Sequence, residues 1–529
     1  MLQTPRATRG MVTAPHHLAA QAGLRVLQDG GNAIEAMIAA AAAIAVVYPH
    51  MNGLGGDNFW LIHHPGAAPR AIDACGAAAG NASIEFYRHR GHAVIPARGG
   101  LAANTVAGAV SGWQQALAIS AQWGGELPLA RLFDDAIHYA RHGAPVTASQ
   151  YGNTVAKQPE MTEAAGFAEL YCGGGQAPAI GSLFRNPALA LALERLAEVG
   201  LDDFYRGELA RAIAADLAEA GSPLTLEDLA RHRPREVEPL SVKLRAGTAY
   251  NLPPPTQGLA SLMILGLFER LACRSADGFD FVHGLVEASK RAFRVRDVHI
   301  TDPAYMTVDP RDFLNAAALD RACTDIDPAR ALSWGAPTRK GDTVWLGAID
   351  GAGRAVSFIQ SLYWEFGSGV VLPATGITWQ NRGTSFKLDP SAQNALRPGR
   401  KPFHTIQPAL ALLNDGRTMA YGTMGGEGQP QTQAAIYLRY VQFGQELQAA
   451  VTAPRWLLGR TWGSERTNLR IENRFERSVL DALHAAGHDL EVIGAFDEVM
   501  GHAGALVHHP DGVIEGAADP RGDGAAAGY

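Results

Sequence analysis

Cysteine is scarce in this chain: four in 529 residues, at Cys75, Cys172, Cys273 and Cys323, with no C-x-x-C pair among them. That spacing argues against a disulfide framework and against a structural zinc site. The adjacent histidines His16-His17, His63-His64 and His508-His509 lack the i,i+4 spacing of a helical metal pair, so no metal and no cofactor is expected. Basic excess is absent too. Lys and Arg number 45 against 52 Asp and Glu, a net charge of −7, which leaves nothing to neutralise phosphates and excludes a nucleic-acid partner. Long apolar runs are missing: the longest, Ala36 to Tyr48, has 13 residues, too few to span a bilayer, and no membrane partner is expected. Met1-Leu2-Gln3-Thr4-Pro5-Arg6 carries no apolar stretch of a secretory signal, so the expected location is cytoplasmic. No repeat, low-complexity tail or charge block is found.

What the chain does have is an ordinary globular balance, 47% hydrophobic and 18% charged, with 59 glycines that favour tight turns and close packing. The first part reads as helix-rich. Leu18–Leu27 has helical spacing and stops at Gly30-Gly31. Asn32 caps a second helix with Glu35 three residues on, and that helix is apolar on nearly every side until Pro49 ends it. A glycine-rich turn, Asn52-Gly53-Leu54-Gly55-Gly56-Asp57, leads into a strand at Phe59–Ile62. Helices are predicted over 113–122, 187–199, 204–220 and 259–271. Past residue 343 three hairpin signals appear, at Asp350–Gly353, Asn414-Asp415-Gly416 and Pro510-Asp511-Gly512, with helical patterns at 433–443 and 478–486 between them. The expectation is an antiparallel sheet core with helices outside, and an organisational change near Thr343.

Three features bear on chemistry. Gly341-Asp342-Thr343-Val344-Trp345 opens a strand-like run. An internal threonine has no base at hand. One made N-terminal by cleavage carries its own, an α-amine with a pKa of about 7.7–8. Alone, the tripeptide is weak evidence, since Asp-Thr is common and a threonine beginning a strand is the default reading. Gly422-Thr423-Met424-Gly425-Gly426-Glu427-Gly428-Gln429-Pro430 places glycines between a strand and a helix, where backbone N–H groups suit an oxyanion or simply make a tight turn. Arg98 and Arg382 lie in glycine-flanked loops, where a guanidinium suits a carboxylate or faces solvent.

Taken in order, these and other segments resemble the γ-glutamyltransferase family nearly end to end. The resemblance is carried by Met11-Val12-Thr13-Ala14-Pro15-His16, Gly30-Gly31-Asn32-Ala33, Asn52–Asp57, Asn104-Thr105-Val106-Ala107-Gly108 and Pro253-Pro254-Pro255-Thr256-Gln257-Gly258. It continues through Met424-Gly425-Gly426, Ala453-Pro454-Arg455 and the ending Ala518-Asp519-Pro520-Arg521 to Ala527-Gly528-Tyr529. It implies an N-terminal-nucleophile hydrolase of α+β class with a four-layer αββα sandwich. It also implies self-cleavage between Asp342 and Thr343 into a large chain, 1–342, and a small chain, 343–529, that together form one intertwined unit. A large–small heterodimer is then the minimum assembly, and a pair of these the next. By the same resemblance Thr343 is the nucleophile, its α-amine the base, and Gly425 and Gly426 the oxyanion donors.

The chain departs from γ-glutamyl enzymes where they hold the glutamyl group. Val344-Trp345 follows the threonine in place of Thr-His. Tyr363 and Arg382-Gly383-Thr384-Ser385 stand where an Asn and a Gln-x-Asp-Asp are usual, and His404-Thr405 replaces a Ser-Ser pair. The acid that would hold an ammonium group is gone, and an arginine for a carboxylate is gained. A site built for one charged group rejects substrates that leave it unpaired. The expected substrate is a small, anionic, amine-free amide in a pocket narrowed by Trp345, Tyr363 and Trp364. It would be held by Arg382 with Arg98, Tyr363 and Ser385, with Thr405 or His404 aiding the oxyanion. For His404 a structural hydrogen-bonding role stands equally open. This pattern is similar to the oxamate amidohydrolase branch of the family, which makes oxalate and ammonia in purine-nitrogen catabolism. The rival readings are a γ-glutamyl hydrolase or transferase, a glutaryl- or cephalosporin-type acylase, and a homologue that never matures.

Overall fold

The computed structural model describes residues 3–173, 175–335, 342–459 and 467–529, with Asp342 described in its backbone alone; Gly341 of the cleavage motif lies outside the described residues. Two seven-stranded sheets form its centre. The first has Asp342–Asp350 and Ala355–Tyr363 as an antiparallel pair, flanked by Gly10–Ala14 and Ala525–Gly528 on one side. On the other side stand Asp57–His63, Arg70–Asp73 and Arg235–Val237. The second runs, in spatial order, Arg6–Ala7, Ile514–Ala518, Ala503–His508, Thr418–Thr423, Ala409–Leu413, Gly247–Asn251 and Leu240–Leu244.

Alternation along each strand assigns its two faces. Trp345, Ile359, Phe59 and Leu61 of the first sheet pack with Leu410 of the second and with Ile406 just before its strand, so these positions face the other sheet. Their neighbours Val344, Leu346, Phe358 and Trp60 pack instead with the helix Ala33–Val47. Ala409, Ala411, Met419 and Tyr421 of the second sheet pack with the helices Gly258–Phe268 and Phe279–His299. Both faces of both sheets are covered, which is why the strands read as near-continuous apolar runs. The result is an αββα sandwich of α+β class.

The helix Ala33–Val47 is buried at every position and begins with the capping box foreseen from Asn32 and Glu35. The helix expected at 204–220 is two helices, Asp203–Arg206 and Glu208–Glu219. The Asp203 carboxylate accepts the N–H groups of Glu208 and Leu209 and so starts the second. The helix expected at 433–443 spans Gly428–Tyr437 and widens into a π turn at Leu438–Gln442. The change near Thr343 is one of element type, mostly helices before it and mostly strands after it, and it does not divide the sheets. Strands from before and after it interleave in both sheets, so the two segments share one core.

Candidate active site

Thr343 sits where the central ladder steps. Asp342 faces Tyr363 and Val344 faces Gln360, so Ser361 and Leu362 together stand opposite the single residue Thr343. Such a bulge bends the strand and re-aims a side chain. Tyr363, next to it, holds φ +83°, a left-handed backbone that a bulky residue adopts only under outside constraint. By alternation from Val344 and Trp345, Thr343 faces the second sheet. Ser361, paired with Asp57 on the next strand, extends this polar row.

The glycine turn lies at the same end. Trp345 approaches Gly422 and Gly504, and Gly347 approaches Leu506, so moving back toward Thr343 leads to Met424 and His502, one residue beyond the paired strands. Gly422 must be glycine, since a Cβ there would lie 2.1 Å from Trp345 Cδ1. Trp345 therefore fills the gap between the sheets, its indole N–H donating to Ser357 Oγ at 2.9 Å, and does not wall a pocket as expected. Gly425 and Gly426 have φ of +111° and +52°. Their carbonyls accept from Gly428 N–H at 2.7 Å and Gln429 N–H at 3.4 Å, at the start of the helix Gly428–Tyr437. Because a trans peptide opposes its N–H to its C=O, the Gly426 N–H points away from that helix. Among the described residues neither Gly425 nor Gly426 N–H is spent on a hydrogen bond. The loop can therefore offer two donors to a developing negative charge.

Arg382 opens the short turn Arg382–Ser385 and is 1% exposed. Its guanidinium carbon lies 3.6 Å from the centre of the Tyr363 ring, and Nη1 is 3.5 Å from Thr405 Oγ1. Ser385 Oγ is buried without a hydrogen bond, while its carbonyl accepts from Asn394. Arg98 is spent elsewhere. It pairs with Glu160 at 3.1 Å and donates to the carbonyls of Glu365 and Gly367, bracing the turn after Tyr363. These contacts engage Arg98 within the protein.

Sequence reasoning gave no role to Asp57, which ends a glycine-rich motif and proves to be buried at the site. Its Oδ1 accepts the N–H groups of Gly76 and Gly108, each at 3.0 Å, and its Oδ2 lies 3.4 Å from His404 Nε2. His404 is fully buried, edge-on to Phe59, and neither ring nitrogen makes a hydrogen bond. Burial, then the charges of Arg382 and Lys401, hold it well below its ordinary value, so it is neutral. Burial raises Asp57 from 3.8 to about 7, against the pull of the Gly76 N–H and Arg382. An acid raised in the folded state stabilises it fully below about pH 4, and that contribution is lost as pH rises through 7. The loss is roughly 4 kcal/mol. The thermal midpoint of Asp57→Asn should therefore gain on wild type between about pH 5 and about pH 8; parallel pH profiles would contradict this.

One grouping with metal-ligand chemistry was not anticipated: His283, Glu287 and His488, remote from Thr343 in the fold's second helical layer. Its atoms are engaged with one another and their neighbours. His283 and His488 share a 2.9 Å hydrogen bond, and Glu287 accepts from Lys290 and from Leu332 N–H.

Comparison with known proteins places this geometry. The family model for gamma-glutamyltranspeptidase matches residues 19–529. The chain is 56% identical over 524 residues to the oxamate amidohydrolase proenzyme of Klebsiella pneumoniae, covering 99% of each. It is 40% identical to a glutathione hydrolase-like proenzyme of Bacillus subtilis, covering 98% of each. The crystal structure of cephalosporin acylase from Bacillus halodurans superposes with a TM-score of 0.90 at 35% identity, over 100% of this chain and 97% of that one. A threonine at a bulged strand start, facing a glycine turn with unspent donors inside an αββα sandwich, thus belongs to a known lineage: the chain is a member of the gamma-glutamyltranspeptidase family of N-terminal-nucleophile enzymes.

Proposed function

We propose that this enzyme cuts itself between Asp342 and Thr343 and then hydrolyses a small anionic amide, oxamate, to oxalate and ammonia. The observation that carries the reading is Arg382, a buried cation laid over Tyr363 at the Thr343 end of the sandwich, where a γ-glutamyl site would require an acid for the substrate's ammonium. Asp57 is poorly placed for that duty, with one oxygen taken by two N–H groups and the other turned to His404. The 56% identity to a protein named for oxamate supports the choice of amide, and the proenzyme names of both relatives support the self-cleavage.

In this scheme the α-amine of Thr343 takes the proton of its own Oγ, which attacks the amide carbon. The negative oxygen of the tetrahedral intermediate rests on Gly425 and Gly426 N–H, with Thr405 beside them, while Arg382 holds the carboxylate. Collapse breaks the C–N bond, and the α-ammonium returns its proton to the departing ammonia. Water then enters, loses a proton to the α-amine, and hydrolyses the oxalyl ester to free oxalate and Thr343. The two segments 1–342 and 343–529 stay together as one sandwich. We place the reaction in cytoplasmic purine-nitrogen catabolism, following the family branch.

No helix among the described residues is long and apolar enough to cross a membrane. A substrate panel tests the reading. Ammonia release from oxamate should exceed turnover of a γ-glutamyl anilide or a glutaryl amide by about 100-fold or more in kcat/KM, the scale of leaving a buried charge unpaired. Faster turnover of the γ-glutamyl substrate would replace this assignment with the glutathione-type one.

A further inference from the structure

Three residues outside the expected site, Gln257, Arg296 and Glu427, tie its two halves together. Gln257 is fully buried and lies just before the helix Gly258–Phe268. Its backbone N–H donates to the His404 carbonyl at 3.0 Å. Its side-chain Nε2 donates to two more carbonyls, Thr405 at 2.5 Å and Gly426 at 2.8 Å. Both protons of one carboxamide therefore bridge the His404-Thr405 segment and the glycine turn. The amide oxygen is held in turn: Arg296 Nη1 donates to Gln257 Oε1 at 2.9 Å, and Arg296 Nη2 donates to Glu427 Oε1 at 2.6 Å. Arg296 and Glu427 are fully buried, and Arg296 Nε is taken by Asp297 at 2.8 Å.

The geometry of the turn shows what this network controls. Gly426 has no side chain to hold it and sits at φ +52°. The peptide plane before it is fixed by the Gly428 N–H on the Gly425 carbonyl. The plane after it is held by two donors on the Gly426 carbonyl, Gln257 Nε2 at 2.8 Å and the longer Gln429 N–H at 3.4 Å. With both planes anchored, the direction of the Gly426 N–H is set. Loss of Gln257 leaves only the 3.4 Å Gln429 bond to hold that plane, on a residue that crosses its backbone map at little cost.

We propose that Gln257, backed by Arg296 and Glu427, is a positioning residue that aims the oxyanion donors of the glycine turn. Gln257 and Arg296 belong to the segment before Thr343, whereas Thr405, Gly426 and Glu427 follow it. The large segment would thereby hold the catalytic donors of the small one in register after the chain is cut. The inference rests on the reading of Gly425 and Gly426 as oxyanion donors, not on the identity of the amide.

Gln257→Met keeps the side chain's length and volume and removes both donors and the acceptor. Rates are taken per mole of cleaved chain, with whichever amide of the panel the wild type turns over best, so a wrong substrate assignment leaves the comparison intact. We expect kcat to fall about 100-fold, the scale of a lost oxyanion donor, with KM and the inhibition constant of that amide's acid product within about threefold of wild type. Gln257→Glu, which aims carboxylate oxygens at two carbonyls, should fall at least as far. A kcat within threefold of wild type would overturn the proposal. So would a parallel loss of kcat and of affinity for that acid product, which would mean that the whole site had collapsed. Should Gln257→Met fail to mature, Arg296→Lys provides the same comparison, because it keeps the charge near Glu427 and loses the fork that reaches Gln257.

Discussion

Replacing Thr343 with alanine is expected to leave a single chain of about 56 kDa with no measurable amidase activity, whereas the wild type runs as two bands on a denaturing gel. The effect should be complete because one atom is asked to do two jobs. In the proposed scheme Thr343 Oγ attacks the preceding peptide bond and, after that cut, attacks substrate. Alanine removes both without disturbing the fold around it. Val344 and Leu346 still face the helix Ala33–Val47, and Trp345 still fills the gap beside Gly422. Serine keeps a hydroxyl, so Thr343→Ser should still divide the chain, more slowly. Normal cleavage in the alanine variant would place the cut, and the nucleophile, elsewhere.

Arg382→Met should have the next largest effect, and a selective one. A guanidinium buried at 1% exposure and stacked on Tyr363 meets a carboxylate where water competes little. Losing one partner of a buried charge pair costs roughly 3 kcal/mol, or about 10²-fold in binding the transition state. The kcat/KM for oxamate should fall by about that factor or more. The neutral analogue oxamide, in which an amide replaces the carboxylate, should lose far less, so the ratio of the two is the quantity to measure. Arg382→Lys should fall between, since an ammonium keeps the charge but not the planar fork or the stack. An equal loss for both amides would show that Arg382 only supports the fold, and the carboxylate would need another partner.

Much of this was legible in the sequence because several local signals pointed the same way. Asn32 and Glu35 announced a capped helix that the structure shows as a full capping box. The turn residues at 350–353, 414–416 and 510–512 marked three hairpins of the observed sheets. The glycines of 422–428 announced a strand-to-helix turn. The helix Phe279–His299 was not read because its buried face carries charge. Glu287 pairs with Lys290 and Arg296 with Glu427, partners that lie inside the fold and leave little apolar periodicity to follow. The partners of Arg98 were hidden for a related reason. Glycine neighbours suggested an open carboxylate site, but its partners, Glu160 and the carbonyls of Glu365 and Gly367, are set by tertiary contact. Asp57 and Gln257 each stood inside a quoted motif, yet their duties depend on His404, Thr405 and Gly426, more than a hundred residues away. Spacing in sequence carries no trace of such pairings.

The most direct test is the intact mass of wild-type protein quenched during turnover of oxamate. The expected result is two chains, the smaller beginning at Thr343, with part of the smaller chain heavier by one oxalyl group that maps to its first residue. A single uncut chain, or an oxalyl adduct on any residue other than Thr343, would contradict the assignment of Thr343 as the nucleophile of a self-processed amidase.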